Sequence, residues 1–385
     1  MSTTAFRPPL LTRALPPPPT PRGSPVPALL AYLGVRGLGL LVLTLWAHRR
    51  HTGVRHVLAT QWDANWYLGI ADHGYTHTLG TAYDANNLAF FPLYPYLTKA
   101  LAAVTPGSHA SVGLAIAVVA SVVAAWGVFA VGDRLYGQRA GVLLTVLWAA
   151  LPVGSVQWMG YTESLFTACA AWALYAVLTD RPLRAASLAV LAGLTRPTGL
   201  AVVVAVVGWA LYRLRRRPRD LRFLGAALLA PLGWGGYVGW VGLRLGRWDG
   251  YLAVQRLWHN EWDGGAETLR RVRQLLAQDA SPPLFLLVVT GTLIGAVVLF
   301  GVAVADRQPL PLLVFSGVLL VIVLGSGGVY FSRARFLLPA FPLLLPLALH
   351  LARASLRHRA LALTTAVLGG TYLSAYMSLV WAKPM

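Results

Sequence analysis

Long apolar runs, separated by short polar segments, recur along almost the whole chain. The first run covers residues 28–47, and later runs lie near residues 110–131, 139–154, 164–179, 184–212, 223–243, 284–305, 309–329, 336–352 and 360–381. The first run is too long for the apolar core of a signal peptide and has no small-residue cleavage site close behind it. A helix needs roughly 20 apolar residues to cross a bilayer, so the pattern predicts an all-α integral membrane protein, a helical bundle with about eleven transmembrane helices.

The run from 184 to 212 decides the predicted topology, because the segment 212–222 that follows it contains six arginines. Cytoplasmic loops are enriched in arginine, so this segment should be cytoplasmic. That placement requires a break at Thr195-Arg196-Pro197, where proline can end one helix and start the next. We therefore predict two short hairpin limbs with Arg196 at an outer turn, the N-terminus in the cytoplasm and the C-terminus outside.

The remaining polar stretches predict the domain organisation. Residues 1–27 are rich in proline and contain three arginines, a composition that buries too little apolar surface to fold, so we predict a disordered cytoplasmic tail. Residues 28–385 form one predicted transmembrane domain. Two larger polar segments interrupt it, a first external loop at 48–109 and a second at 246–283.

The composition supports a membrane protein and favours membrane lipids over nucleic acid as its partner. Hydrophobic residues make up 57% of the 385 residues. The formal net charge is +19, but the basic residues fall mostly between apolar runs, where membrane lipids with anionic headgroups and the orientation rule explain them better than nucleic acid does. The single cysteine, Cys169, excludes an intramolecular disulfide and a thiolate metal cluster. His48, His51 and His56 alternate with arginines that would repel a cation, so we expect no metal site there.

Candidate chemistry begins in the first external loop. Trp62 and Trp66 are four residues apart and predict a short amphipathic helix over 62–73 that lies at the membrane interface. Asp63 and Asp72 are nine residues apart, so they lie on opposite faces of that helix. Asp63 stands at the helix start, where it can be an N-terminal cap, a catalytic base or both.

Two further segments have a predicted local structure. The two prolines of Phe90-Phe91-Pro92-Leu93-Tyr94-Pro95 exclude a regular helix, so we predict a rigid turn with its rings at headgroup depth. The small residues of Gly235-Gly236-Tyr237-Val238-Gly239 predict a close contact between helices.

Later turns add charge to the predicted outer face. Glu163 is the only acid in a long apolar neighbourhood, and an ionisable group at the edge of a span is costly unless it is paired or functional. Arg196 lies at the next outer turn, and Arg333 and Arg335 lie at a further one. Guanidinium groups bind phosphate through a bidentate fork, so these arginines predict a phosphate site. The alternative is structural ion pairing, for example between Arg196 and Glu163.

Several segments resemble, in order, blocks of the GPI mannosyltransferase II family, which has bacterial relatives. They are Trp62-Asp63 with Ile70-Ala71 and Gly74-Tyr75, then Phe90-Phe91-Pro92-Leu93-Tyr94-Pro95, then Tyr161-Thr162-Glu163-Ser164-Leu165-Phe166, then Thr195-Arg196-Pro197-Thr198-Gly199, and later Arg335-Phe336-Leu337-Leu338-Pro339-Ala340-Phe341-Pro342. The resemblance implies a GT-C fold, a polyprenyl-phosphate sugar as donor, an active site on the outer face of the membrane and a catalytic base at Asp63. The proline-rich tail and the preference for arginine over lysine are more typical of a high-GC bacterium, so we expect the bacterial plasma membrane and leave the acceptor open.

The chemistry of the residues agrees with that role. A glycosyl phosphate needs a base for the acceptor hydroxyl, and desolvation of Asp63 at the membrane boundary would raise its pKa and make it a better base. Arg196, Arg333 and Arg335 would supply fixed positive charge for the departing phosphate, so we expect no metal and no cofactor beyond the lipid-linked sugar. Contacts with substrate are expected from Trp62, Trp66, Tyr94, Tyr161, Glu163, Trp258, His259, Glu261 and Asp263.

The leading hypothesis is therefore an inverting, metal-independent mannosyltransferase, or more broadly a hexosyltransferase. A transporter or flippase for a lipid-linked sugar is the alternative, since it would use the same arginines to hold phosphate without needing a base. A membrane protein with a purely structural role is a third possibility, and it would tolerate alanine at Asp63, Glu163 and Arg196.

Overall fold

The computed structural model describes residues 23–82 and 86–381, so residues 1–22 of the predicted tail lie outside the described part. The described residues are almost entirely helical and contain no strand, which confirms the all-α fold class. Their α-helices are α1 (Val26–Arg49), α2 (Val54–Ala59), α3 (Asp63–His73), α4 (Leu93–Ala102), α5 (His109–Tyr136), α6 (Gln138–Ala149), α7 (Glu163–Leu178), α8 (Pro182–Gly193), α9 (Leu200–Arg216), α10 (Leu221–Leu229), α11 (Leu232–Leu245), α12 (Gly250–Leu257), α13 (Ala266–Ala277), α14 (Leu284–Ala305), α15 (Leu310–Gly325), α16 (Arg333–Phe336), α17 (Leu345–Arg353) and α18 (Leu356–Leu379).

The long apolar helices form a multi-pass membrane bundle. By length and composition, six helices of the described residues can cross a membrane: α1, α5, α9 with the turn before it, the continuous pair α10 and α11, α14 and α18. A seventh span results if the pair Tyr330–Phe336 and Phe341–Arg353, bent by 73°, counts as one. Three shorter apolar helices, α7, α8 and α15, complete the set. The number of eleven spans stays a prediction.

The break predicted at Thr195-Arg196-Pro197 is present. Helix α8 ends at Gly193, a 3-10 turn covers Pro197–Gly199, and α9 begins at Leu200. The turn is held from two sides, because Trp234 Nε1 donates a hydrogen bond to the Pro197 carbonyl oxygen at 3.0 Å and Leu93 N donates one to the Leu194 carbonyl oxygen at 2.9 Å. Arg196 is therefore fixed between α8 and α9 by neighbours distant in sequence.

We predicted that residues 90–95 contain no regular helix, and this prediction was wrong for the last three of them. Only the start is a turn, since α4 begins at Leu93 with Pro92 as its N-cap residue. Pro95 lies in the first turn of α4. Amide groups there have no carbonyl partner within the helix, so the missing N–H of a proline costs no hydrogen bond.

The close helix contact lies two residues before the predicted glycine cluster. A Cβ at Gly233 would overlap the Val190 carbonyl oxygen, whereas a Cβ at Gly235 or Gly236 would meet nothing within 4 Å. On the facing helix, a Cβ at Gly193 would lie 2.6 Å from Trp234 N. Helices α8 and α11 thus approach at Gly193 and Gly233, and this contact supports the turn that carries Arg196.

We expect Gly233→Ala to destabilise the bundle and Gly236→Ala to leave it nearly unchanged. The added methyl group at Gly233 has no free volume, and overpacking of this kind typically costs about 1–3 kcal/mol. The measurement is the thermal unfolding midpoint of both variants in the same detergent. Equal midpoints for the two alanine variants would contradict the proposed contact.

Candidate active site

Helix α3 places Asp63 at the edge of the bundle. The helix is present as predicted, but its buried face contains Tyr67, Ile70 and Ala71, whereas Trp62 and Trp66 are only partly buried. Asp63 is the first helical residue. Trp62 before it has a positive φ of 52°, a backbone conformation that residues other than glycine rarely adopt. This sharp entry turns the Asp63 carboxylate toward Arg335, to which it forms an ion pair.

Four charged side chains from distant parts of the chain meet in one cluster. Asp63 Oδ2 lies 2.6 Å from Arg335 Nη2, and Glu163 Oε1 lies 2.7 Å from Arg196 Nη1. Arg335 Nε also lies 3.7 Å from Glu163 Oε1, which links the two pairs. The starts of α3 and α7, the turn before α9 and helix α16 therefore converge on one site, and Asp72 on the opposite face of α3 pairs with His109 instead.

Aromatic rings flank the two guanidinium groups. Arg335 Cζ lies 5.0 Å from the ring centre of Tyr161 and 5.2 Å from that of Phe336. Arg196 Cζ lies 5.4 Å from the Phe336 ring centre. Cation–π contacts of this kind favour desolvated arginine, so the rings help to hold both cations in a buried position. Phe336 was not predicted as a site residue. The sequence signals for it are its position directly after Arg335 and its place in the resembling segment 335–342.

The four side chains of the cluster differ in their solvent exposure and in their hydrogen bonding. Glu163, Arg196 and Arg335 are buried, whereas 23% of the Asp63 side chain is exposed. Within the described residues, Arg335 Nε and Nη1 and Arg196 Nε are buried and have no hydrogen-bond acceptor. Buried donors without partners are costly, and an anion beside them would satisfy them. The cluster thus combines a reachable carboxylate with unsatisfied guanidinium donors.

The surroundings of Asp63 change its proton affinity. Burial raises the pKa of Asp63, the positive charge of Arg335 lowers it, and the negative charge of Glu163 raises it again. The net result is a pKa above the ordinary value for aspartic acid, because desolvation is the largest of these effects. Asp63 is therefore a stronger base here than an aspartate in water.

Arg333, which we expected to bind phosphate, is not brought into the cluster. It is two residues before Arg335 on α16, so the two side chains leave the helix on nearly opposite sides. The Arg333 guanidinium donates to Thr268 Oγ1 and to the carbonyl oxygens of Ser326 and Gly328. Its contacts join the second predicted external loop to the segment before α16.

Several expected substrate contacts are protein contacts. Glu163 is 2% exposed and holds the two arginines, while Tyr94 is 2% exposed and packs edge-on against Tyr67 at 5.1 Å. Tyr161 is 1% exposed and lies against Arg335. These three residues shape the site from behind and cannot reach a substrate in this arrangement.

The acidic candidates of the second predicted external loop also have structural partners. Asp263 accepts hydrogen bonds from Gly265 N and Glu267 N, both at 2.8 Å, and so caps the start of α13. Trp262 forms an isolated antiparallel bridge with Ser326, and the Glu261 carbonyl oxygen accepts a hydrogen bond from Gly327 N. The side chains of His259, Glu261 and Asp263 are exposed.

Partly exposed rings next to Asp63 are better placed to meet a substrate. Trp66, one turn after Asp63, stacks on Phe90 at 5.5 Å and meets Trp258 edge-on at 5.3 Å. Trp258 Nε1 donates to the Asn86 carbonyl oxygen at 3.0 Å, so the two predicted external loops touch at these rings. Trp66 and Trp258 were predicted from the sequence as substrate contacts. The stacking partner Phe90 was not.

Comparison with protein families gives a partial match. The family model for dolichyl-phosphate-mannose-protein mannosyltransferases matches residues 90–232, which is less than half of the chain. The matched segment contains Glu163 and Arg196 but not Asp63 or Arg335. A comparison with curated protein sequences found no significant match. The resemblance to the GPI mannosyltransferase II family stays a prediction.

Two solved structures resemble the bundle as a whole. ArnT from Cupriavidus metallidurans, bound to undecaprenyl phosphate, matches with a TM-score of 0.55 over 93% of this chain and 76% of ArnT, at 12% sequence identity. The archaeal oligosaccharyltransferase AglB from Archaeoglobus fulgidus, in complex with an inhibitory peptide and a dolichol-phosphate, matches with a TM-score of 0.51 over 92% of this chain, at 16% identity. The chain spans only 56% of the length of AglB. These similarities show that the chain has the GT-C fold, as the sequence predicted.

Proposed function

We propose that this protein is an integral membrane glycosyltransferase that transfers a mannosyl residue from a polyprenyl phosphate to an acceptor hydroxyl. The observation that carries the proposal is the ion pair between Asp63 and Arg335, linked through Glu163 to Arg196. It joins an accessible base to cations suited to phosphate, which are the two requirements of the reaction. The lipid phosphates bound to ArnT and AglB on the same fold support a polyprenyl-phosphate donor, and the partial family match supports mannose.

The reaction is a direct displacement at the sugar carbon. The acceptor oxygen forms a bond to C1 while the bond from C1 to the phosphate oxygen breaks, and the electron pair of that bond stays with the phosphate. Asp63 accepts the proton of the acceptor hydroxyl. Arg335 and Arg196 lie where negative charge develops on the leaving phosphate, and their buried donors stabilise that charge strongly because little water competes. Attack from the side opposite the phosphate inverts the configuration at C1.

Arg335 has a second role in this mechanism. When no sugar donor is bound, Arg335 Nη2 forms an ion pair with Asp63. The positive charge of Arg335 then partly neutralises the Asp63 carboxylate. A donor phosphate beside Arg335 competes with Asp63 for the same guanidinium, and it also adds negative charge near the carboxylate. Both effects raise the pKa of Asp63, so donor binding prepares the base for the acceptor.

The location and the cofactor requirement follow from the same proposal. We place the site at the extracytoplasmic face of a bacterial plasma membrane, because the arginine-rich segment 212–222 lies at the far end of α9 from Arg196 and belongs in the cytoplasm. The arginines supply the positive charge that a metal ion would otherwise supply, so the reaction needs no metal and no cofactor beyond the donor lipid.

Asp63→Asn should abolish transfer. Asparagine keeps the size of the side chain but cannot accept the proton, and loss of a general base lowers kcat by about 10²- to 10⁴-fold. The measurement is transfer of labelled sugar from polyprenyl-phosphate mannose in detergent, and Asp72→Asn, on the opposite face of α3, is the matched control. A flippase would keep most of its lipid-linked sugar transport in the Asp63→Asn variant, and that result would favour the alternative function.

Transfer should continue in the presence of EDTA. The two arginines of the cluster carry the charge stabilisation, and among the described residues no group of three His, Cys, Asp or Glu side chains could hold a metal ion. Initial rates are measured with EDTA and again after magnesium or manganese is added in excess. Activity that disappears with EDTA and returns with a divalent ion would contradict the proposed charge stabilisation.

Activity should fall as the pH drops through the raised pKa of Asp63, because only the deprotonated carboxylate can accept a proton. Glu163→Gln removes a negative charge that raises this pKa, so the acid limb should move to lower pH. The measurement is the pH dependence of kcat/KM for the acceptor in the wild type and in this variant, with Asp72→Asn as control. An acid limb that stays in place or moves to higher pH would show that Asp63 is not the titrating base.

A further inference from the structure

A compact group of exposed basic side chains lies between α1 and the candidate site. In the nine residues 48–56, six are basic and all six are exposed. We call this group the basic patch; it consists of His48, Arg49, Arg50, His51, Arg55 and His56. The first acidic residue of the whole chain is Asp63, so the sequence around the patch offers no counter-charge.

Among residues 23–82 and 86–381, no acidic side chain forms an ion pair with this patch. None of the ion pairs found among the described residues involves any of its six members. Arg55 is fixed instead by two hydroxyl groups, since its Nη2 donates to Ser111 Oγ at 2.8 Å and to Ser108 Oγ at 3.4 Å. The arginine-rich segment at the other end of the bundle differs, because Asp180 pairs with Arg213 and Arg217 there.

The patch lies at the depth of lipid headgroups. Leu41 and Leu45 on the same helix are 55% and 60% exposed, as expected of side chains that face lipid tails. The patch begins three residues after Leu45, at the end of α1, so its arginines lie where the apolar layer ends. An anionic headgroup beside lipid-facing leucines can reach these arginines while its acyl chains stay in the bilayer.

The patch is also connected to the candidate site. Helix α2 contains Arg55 and His56 and leads directly to Asp63. At its end, the Leu58 carbonyl oxygen accepts a hydrogen bond from Gly160 N at 2.7 Å, three residues before Glu163. A ligand that orders the patch would therefore steady both the start of α3 and the turn before α7.

We propose that the basic patch binds the headgroups of anionic phospholipids in the leaflet that faces the candidate active site. Positive residues near the surface of a membrane attract anionic lipid, and this attraction opposes the usual scarcity of arginine on an outer face. The bound lipid restrains the turn between α1 and α2 and, through α2, the approach to Asp63. The proposal does not depend on sugar transfer.

Hydrogen–deuterium exchange in lipid nanodiscs tests the proposal at the patch itself. The full-length protein is compared in nanodiscs of phosphatidylcholine alone and in nanodiscs that also contain phosphatidylglycerol. Phosphatidylglycerol should slow exchange across residues 48–62 in the wild type. The combined variant R49Q/R50Q/R55Q should lose this effect, because removal of three arginines weakens binding of anionic lipid by about 10- to 100-fold.

A matched variant and a second lipid make the outcome decisive. The variant R215Q/R216Q/R219Q, altered at the opposite end of α9, should keep the response of residues 48–62. No effect of phosphatidylglycerol on the wild type, or an effect that persists in R49Q/R50Q/R55Q, would overturn the proposal. So would nanodiscs in which polyprenyl phosphate slows exchange and phosphatidylglycerol does not, since the patch would then be part of the donor site. None of these readouts requires the protein to transfer sugar, so the proposed function stands or fails separately.

Discussion

A cluster of four charges, three of them buried, is the constraint on which the site depends. A buried ion is stable only if partners compensate the lost hydration, and here Glu163 and both arginines are almost fully covered. Two carboxylates and two guanidinium groups make the cluster neutral, so no member can be withdrawn without leaving a buried charge. The starts of α3 and α7, the turn before α9, and α16 must therefore meet for the bundle to form.

In the proposed reaction, the same balance of charge would determine how the cluster responds to a phosphate. A neutral set of four charges has no net attraction for an anion. The guanidinium nitrogens of the cluster differ, however, in whether they already have a hydrogen-bond acceptor. Arg335 Nη2 is held by Asp63, whereas Arg335 Nη1 has no acceptor within the described residues. A phosphate that takes the free donors makes Asp63 the surplus anion of the site. That surplus is removed when the carboxylate gains a proton, which is the event that the proposed reaction needs.

The sequence could predict the parts of this arrangement that depend on local rules. Proline chemistry predicted the break at Arg196, and helical periodicity predicted α3. The cost of an isolated acid near a span predicted that Glu163 is either paired or functional. The choice between Arg333 and Arg335 could not be predicted, because it depends on how a helix of four residues is rotated within a bent span. The sequence also could not predict that Gly233, and not the later glycines, lies at the close contact. That outcome depends on which face of α11 meets α8. Burial of Tyr94 depends on Tyr67, and no local pattern shows that contact.

The two predicted external loops act as one structure around Asp63. Trp258 of the second loop touches Trp66 and bonds to the carbonyl oxygen of Asn86 in the first. Arg244 at the end of α11 donates to the carbonyl oxygens of Tyr75 and Thr76, which fixes the chain that leaves α3. Farther along the second loop, Trp262 pairs with Ser326 ahead of α16. The second loop thus contacts the elements that carry both the carboxylate of Asp63 and the guanidinium of Arg335. A displacement of residues 246–283 would therefore disturb the surroundings of both partners of the ion pair, through Trp258 on the Asp63 side and through Trp262 on the Arg335 side.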